Sequence, residues 1–123
     1  MKLQREAIPS LNAFTGYGAG YVMVNHRRIE RSVVVLPDRI ISDWAATTFE
    51  ALAPAHLGAL AELGCEIVLL GTGSQLRFPR PEIVRPIVES RVGFEVMDVQ
   101  AACRTYNILL SEERRVAAAL LLG

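Results

Sequence analysis

The sequence predicts an α/β domain, and three observations carry that expectation. From Pro54 onward, apolar residues at helical spacing alternate with short apolar runs, and only a few residues separate one from the next. The run Ile67-Val68-Leu69-Leu70 has no polar residue inside it, as expected of a strand covered on both faces. The 123 residues are 51% hydrophobic but only 7% aromatic, so the core rests on aliphatic packing, and a chain of this length needs no disulfide or metal to hold it. Helix and strand in alternation with short connections further predict right-handed crossovers and parallel central strands.

Each element follows from local chemistry. Gly16, Gly18 and Gly20 lead into Tyr21–Val24, and Asn25-His26-Arg27-Arg28 separates this run from residues 29–36, so the two runs predict a hairpin. Pro37-Asp38 is a turn, after which residues 39–44 predict a short strand with Ile40 and Ile41 as its buried residues. Pro54 suits a first helical position, Leu57, Leu60, Ala61 and Leu63 repeat at helical spacing, and Gly64 is a stop. Residues 66–70 form the buried strand, closed by Gly71-Thr72-Gly73. Residues 81–91 predict a second helix with Ile83, Val84, Ile87 and Val88 inward, bent or shortened by Pro86. Gly93–Met97 is the next strand. Asp98 can cap a third helix with Val99, Ala102, Cys103, Tyr106, Leu109 and Leu110 on one stripe and Gln100, Arg104, Asn107 and Ser111 on the other. Residues 116–122 read either as a continuing helix or as a closing strand, and the propensity of Ala117 to Ala119 leans to helix.

Composition excludes several function classes. Thirteen basic and thirteen acidic residues cancel, so nucleic acid or an anionic membrane could be held only by a local patch and is not expected. Lys2 and Arg5 are followed by Glu6-Ala7-Ile8-Pro9-Ser10, which lacks the apolar core of roughly 7 to 15 residues that marks a secretory signal. The longest apolar runs are far below the roughly 20 residues that span a bilayer, so no membrane insertion is expected. Cys65 and Cys103 belong to no Cys-x-x-Cys, which fits a reducing cytoplasm and gives neither a disulfide framework nor a zinc site. Without repeat or linker, residues 1–123 read as one domain.

The leading candidate site is Gly71, Thr72, Gly73 and Ser74 at the carboxyl end of the most buried strand, where open α/β sheets bind ligands and glycine admits an anion to the backbone. The same residues also read as a structural turn. A dinucleotide fingerprint fails because Leu76 stands where a third Gly or Ala belongs, and a phosphate loop fails for lack of Lys. Arg77, Arg80, Arg85 and Arg91 follow the turn, and with Arg104 they read either as a bidentate anion clamp or as a solvated face of ion pairs with Glu82 and Glu89. Arg104 and Asn107 either form a small polar site or tie down a neighbouring loop. Ser74 lacks the Gly-x-Ser-x-Gly context, and His26 and His56 have no partner at ligand spacing, so no catalytic residue and no metal ligand is assigned. Both cysteines read as small buried hydrophobes rather than reactive thiols. Trp44 and Phe49 are open between core and an exposed partner patch.

Three segments resemble a family of small domains of uncharacterised function that includes the mitochondrial complex I assembly factor 3, the adipogenesis-associated domain protein and many bacterial and archaeal proteins. They are Val33-Val34-Val35-Leu36-Pro37 leading to Trp44, then residues 67–73 with Phe78-Pro79, then Met97-Asp98 through Ala101-Ala102-Cys103-Arg104-Thr105-Tyr106-Asn107 to Arg114-Arg115-Val116-Ala117. The resemblance implies a three-layer α/β fold with a central mixed sheet, about three helices and an added N-terminal β-hairpin. It also implies a helix ending near Glu112-Glu113, in a turn where many relatives carry Gly, and a final antiparallel strand at residues 116–122.

Two functional expectations result. The first is a cytoplasmic, non-catalytic module without cofactor, a monomer or weak homo-oligomer, that binds a protein partner and assists assembly of a respiratory or membrane complex, as the resemblance implies. The second is a small-molecule or anion-binding protein, possibly catalytic, using Gly71, Thr72, Gly73, Ser74, Arg77, Arg104 and Asn107.

Overall fold

The computed structural model describes residues 10–122; the leading segment read for a signal sequence lies outside the described residues except for Ser10. The chain opens with β1 (Phe14–Gly18), β2 (Tyr21–Val24) and β3 (Arg27–Ile29), which form an antiparallel three-stranded sheet in that order. A second sheet is built from β4 (Val33–Leu36), β5 (Arg39–Ile41), β6 (Ile67–Gly71), β7 (Gly93–Met97) and β8 (Val116–Leu120), in the order β5-β4-β8-β6-β7. Three helices occur among the described residues, α1 (Pro54–Ala61), α2 (Pro81–Val88) and α3 (Val99–Ser111).

The fold is the three-layer α/β arrangement expected, with a mixed sheet at its centre. β8 is parallel to β6 and antiparallel to β4, so the junction between the two senses falls on the C-terminal strand. The helix favoured there by alanine propensity does not form. Val116 to Leu120 are fully buried, and their side chains alternate between the two cores of the molecule. Ala117 and Ala119 join Val34, Leu36, Val68 and Leu70 beneath α1 and α2, whereas Val116, Ala118 and Leu120 join Val33, Val35 and Leu69 beneath α3 and the small sheet. A central strand covered on both faces gains burial that outweighs an intrinsic helical preference of a few tenths of a kcal/mol per alanine.

Several boundaries differ from the sequence reading, each for a local reason. Asn25 and His26 both adopt positive φ, 52° and 68°, as in a two-residue hairpin turn, so the chain pairs again at Arg27 instead of at residue 29. Residues 29–36 are interrupted at Glu30-Arg31-Ser32 and shared between two sheets. β1 escaped the sequence reading because it contains two glycines, which are poor strand formers. At Gly18 the ring of Tyr21 lies where a side chain would be; a Cβ there would sit 2.4 Å from its Cε1. Ile40 is 37% exposed and only Ile41 turns inward, and Val88 is 59% exposed because α2 ends there, two residues after Pro86. Gly64 takes φ +80° after α1, as a helix stop does.

Candidate functional site

The predicted turn forms at the carboxyl end of β6, and its glycines serve the backbone. A Cβ on Gly71 would lie 2.8 Å from Leu120 Cδ2, 3.3 Å from Ala102 Cβ and 3.3 Å from Val99 Cα, so glycine here lets α3 approach β6. Gly73 has φ +90°, and its carbonyl accepts from Val99 N–H at 2.9 Å. Asp98 Oδ1 caps α3 by accepting from Ala101 N–H at 2.9 Å, as its position predicted. Thr72 is buried and braces the loop that follows: its hydroxyl donates to the Gln75 carbonyl at 2.8 Å and accepts from Arg77 N–H at 3.0 Å.

The candidate ligand residues do not converge. Gly73 and Ser74 line a recess of about 340 Å³ with Gly18, Ala19, Gly20, Gln100 and the terminal leucines Leu121 and Leu122. Arg77, Arg104 and Asn107 do not line it. Arg77 instead pairs with Glu50 at 2.9 Å and lies 4.0 Å over the Phe49 ring, and its hydrogen bond holds the Glu50 carboxyl below its usual range. Arg80 pairs with Glu82 and Arg85 with Glu89, the solvated ion-pair face that was the alternative to a clamp. Arg104 donates to the Tyr17 hydroxyl at 3.2 Å, a contact that raises the guanidinium pKa further.

Asn107 behaves as a substitute strand. Its Oδ1 accepts from Phe14 N–H at 3.0 Å and its Nδ2 donates to the Phe14 carbonyl at 2.8 Å, so one side-chain amide answers both polar groups of a β1 residue. At the preceding position on α3, the Tyr106 hydroxyl donates to the Asn12 carbonyl at 2.8 Å, and its ring meets Phe14 edge-on at 5.0 Å. Burial pushes the Tyr106 pKa well up and the Cys103 thiol up to about 12, which keeps both protonated beneath the hairpin sheet. Asn12 in turn donates to the Leu36 carbonyl and accepts from Asn25 Nδ2, both at 2.8 Å. The Arg104-Thr105-Tyr106-Asn107 segment thus fastens the small sheet to the large one. No buried side-chain polar atom among the described residues lacks a partner, and no group of three metal-ligating side chains occurs among them.

Sequence reasoning missed what the braced loop carries outward. Phe78 is 73% exposed, more than any other large apolar side chain among the described residues, and Leu76 is 49% exposed. Part of their signal lay in the sequence: two apolar residues, one of them next to Pro79, stand in a segment with neither helical nor strand period. Trp44 and Phe49, left open between core and patch, divide. Trp44 is buried, and Phe49 is partly buried against the same core, under Arg77. No helix among the described residues is long and apolar enough to cross a membrane.

Comparison with known proteins agrees with this architecture. A crystal structure of a Bordetella parapertussis protein superposes with a TM-score of 0.84 at 40% identity, covering 92% of this chain and 97% of that one. A Francisella tularensis protein named "13 kDa major membrane protein" is 25% identical over 98% of this chain and 99% of its own length. The Bos taurus protein named "NADH dehydrogenase [ubiquinone] 1 alpha subcomplex assembly factor 3" is 28% identical over 97% of this chain, which spans 65% of that longer protein. The sequence profile described as "Protein of unknown function (DUF498/DUF598)" matches residues 14–121, from the first residue of β1 to just past the last of β8, and the chain belongs to that family.

Proposed function

We propose that this chain is a non-catalytic, single-domain cytoplasmic module that binds a protein partner and assists the assembly of a respiratory or membrane complex. The observation that carries the reading is the pair Leu76 and Phe78, presented to solvent on a loop whose backbone is held by the buried Thr72 hydroxyl. An exposed aromatic on a braced loop is a ready anchor, because little conformational entropy is lost when a partner covers it. The name of the assembly-factor relative supports the assembly role. Burying a Phe side chain contributes about 2 kcal/mol, so Phe78→Ala should weaken a partner roughly 30-fold. The test is affinity capture from the source cell with the wild type and with a Leu76→Ser, Phe78→Ala double variant, read by mass spectrometry. A partner retained by the wild type and lost by the variant supports the reading. Capture of no partner above background, or of the same set by both proteins, refutes it.

A second reading, a small-molecule or anion site at Gly71-Thr72-Gly73-Ser74, is favoured by one observation, the recess beside Gly73 and Ser74. A thermal-shift screen with nucleotides and small anions tests it. A rise in melting temperature that Ser74→Trp abolishes supports it, and no rise in the wild type removes its motive.

A further inference from the structure

A second surface lies at the edges of the two sheets, away from the Phe78 loop. A groove of about 360 Å³ runs between β3 and β5, with Asn12, Asn25, Arg27, Arg28, Ile29 and Ile40 among its lining residues. Both walls are edge strands among the described residues: there β3 pairs only with β2, and β5 only with β4. Each strand enters from a two-residue turn, with Val24 opposite Arg27 and Leu36 opposite Arg39. Residues closing such a turn exchange their hydrogen bonds with each other, so the next residue along directs its N–H and C=O to the open side. Those residues are Arg28 on β3 and Ile40 on β5.

The side chains define what could occupy the groove. Ile40 stands opposite Val35, whose side chain belongs to the core under the small sheet, yet Ile40 itself is left 37% exposed because the small sheet stops short of it. Val24 and Ile29 complete an apolar floor. Asn12 and Asn25 are turned inward: Asn12 binds the Leu36 carbonyl and Asn25, and Asn25 Oδ1 accepts from Ala13 N–H. No acidic side chain among the described residues lines the groove. Arg27 has no acidic partner among the described residues, and Arg28 is set in place with its guanidinium 3.7 Å over the Tyr21 ring and its Nε on Glu30. Unpaired strand edges, an apolar floor and two cations describe a receptor for extended backbone with alternating apolar and acidic side chains.

We propose that the β3–β5 groove binds an acidic, extended peptide segment of a partner protein by strand addition. The probe is a fluorescein-labelled hexapeptide of alternating Glu and Val, compared with its Lys-Val counterpart and with a version N-methylated at two central residues, all read by fluorescence anisotropy on the full chain. The Glu-Val peptide should bind at low salt at least tenfold more tightly than the Lys-Val peptide, and its affinity should fall as salt rises. N-methylation, which removes the donors of a strand ladder, should cost at least tenfold. Arg27→Glu with Arg28→Glu should reverse the charge preference. If that double variant melts below the wild type, Arg27→Ala alone should still lower affinity for the Glu-Val peptide at least threefold. Absence of binding, equal binding of the two charge types, or binding indifferent to N-methylation overturns the proposal.

Discussion

Replacing Glu113 by Gly should stabilise the protein, and the geometry at the end of α3 sets the size of the effect. Glu113 has φ +63°, follows the C-cap Glu112, and donates its N–H to the Leu110 carbonyl at 2.9 Å, while Arg114 N–H reaches the Leu109 carbonyl at 3.0 Å. This pair of bonds closes a helix through a left-handed residue, a position that glycine fills without strain. An L-residue there costs about 1 to 2 kcal/mol. Glycine gives back about 0.4 to 1 kcal/mol through the added freedom of the unfolded chain. Removing a carboxylate from the negative end of the helix returns about 0.3 kcal/mol. The net expectation is a gain of about 1 kcal/mol, or a melting temperature roughly 3 to 5 °C higher for a chain of this size. Urea denaturation and calorimetry of Glu113→Gly, Glu113→Ala and Glu113→Gln separate the contributions. Gly alone should give the full gain, Gln should report the charge and Ala should stay within a few tenths of a kcal/mol of wild type. A Gly variant no more stable than the Gln variant would refute the backbone argument.

Three further predictions follow from the packing. Gly71→Ala should lose about 1 to 3 kcal/mol in urea unfolding, because its Cβ would press on Leu120 and Ala102 between α3 and β6; an unchanged midpoint would show that the helix can move away freely. Asn107→Ala should cost about 2 to 4 kcal/mol by leaving both backbone groups of Phe14 without their partner, and amide exchange at Phe14 should accelerate; slow exchange there in the variant would count against the clamp. Stability should also fall in alkali. The unfolded chain loses the Cys103 proton near the ordinary thiol value of 9.0, whereas the folded chain keeps it to about 12, so stability is full below about pH 9 and is lost between those values. Tyr106 adds to the loss above about pH 10, its ordinary value. Cys103→Ala should therefore retain about 1 to 2 kcal/mol more of its stability than wild type when pH rises from 8.5 to 10.5, and equal losses in urea titrations would contradict burial of the thiol.

The helix-strand alternation from Pro54 onward was legible because each element there buries a face with its own period, and Pro54, Gly64 and Asp98 mark ends by local chemistry alone. The C-terminal strand was not legible from its residues. Three alanines carry no strand signal, and what makes Val116 to Leu120 a strand is the gap between β4 and β6 that they fill. Arg104 and Asn107 were correctly placed on the polar stripe of α3, but no spacing rule could show that Asn107 would meet Phe14, 93 residues earlier in the chain. The arginines after the glycine turn illustrate the same limit, since charge proximity in sequence says nothing about Glu50, the partner Arg77 finds 27 residues before it. The sequence marks the segment of Leu76 and Phe78 as irregular, but their exposure depends on the whole fold leaving them uncovered.

The bond between Asn107 and Phe14 makes the small sheet one-sided. On the β1 side, the Asn107 amide occupies both polar groups of Phe14, which a further strand would need there, and α3 packs against β1. On the β3 side no comparable side-chain bond occurs among the described residues. With the β1 border closed at Phe14, pairing between chains through this sheet is directed to the β3 border. A partner strand that adds to this sheet therefore takes its direction and register from β3.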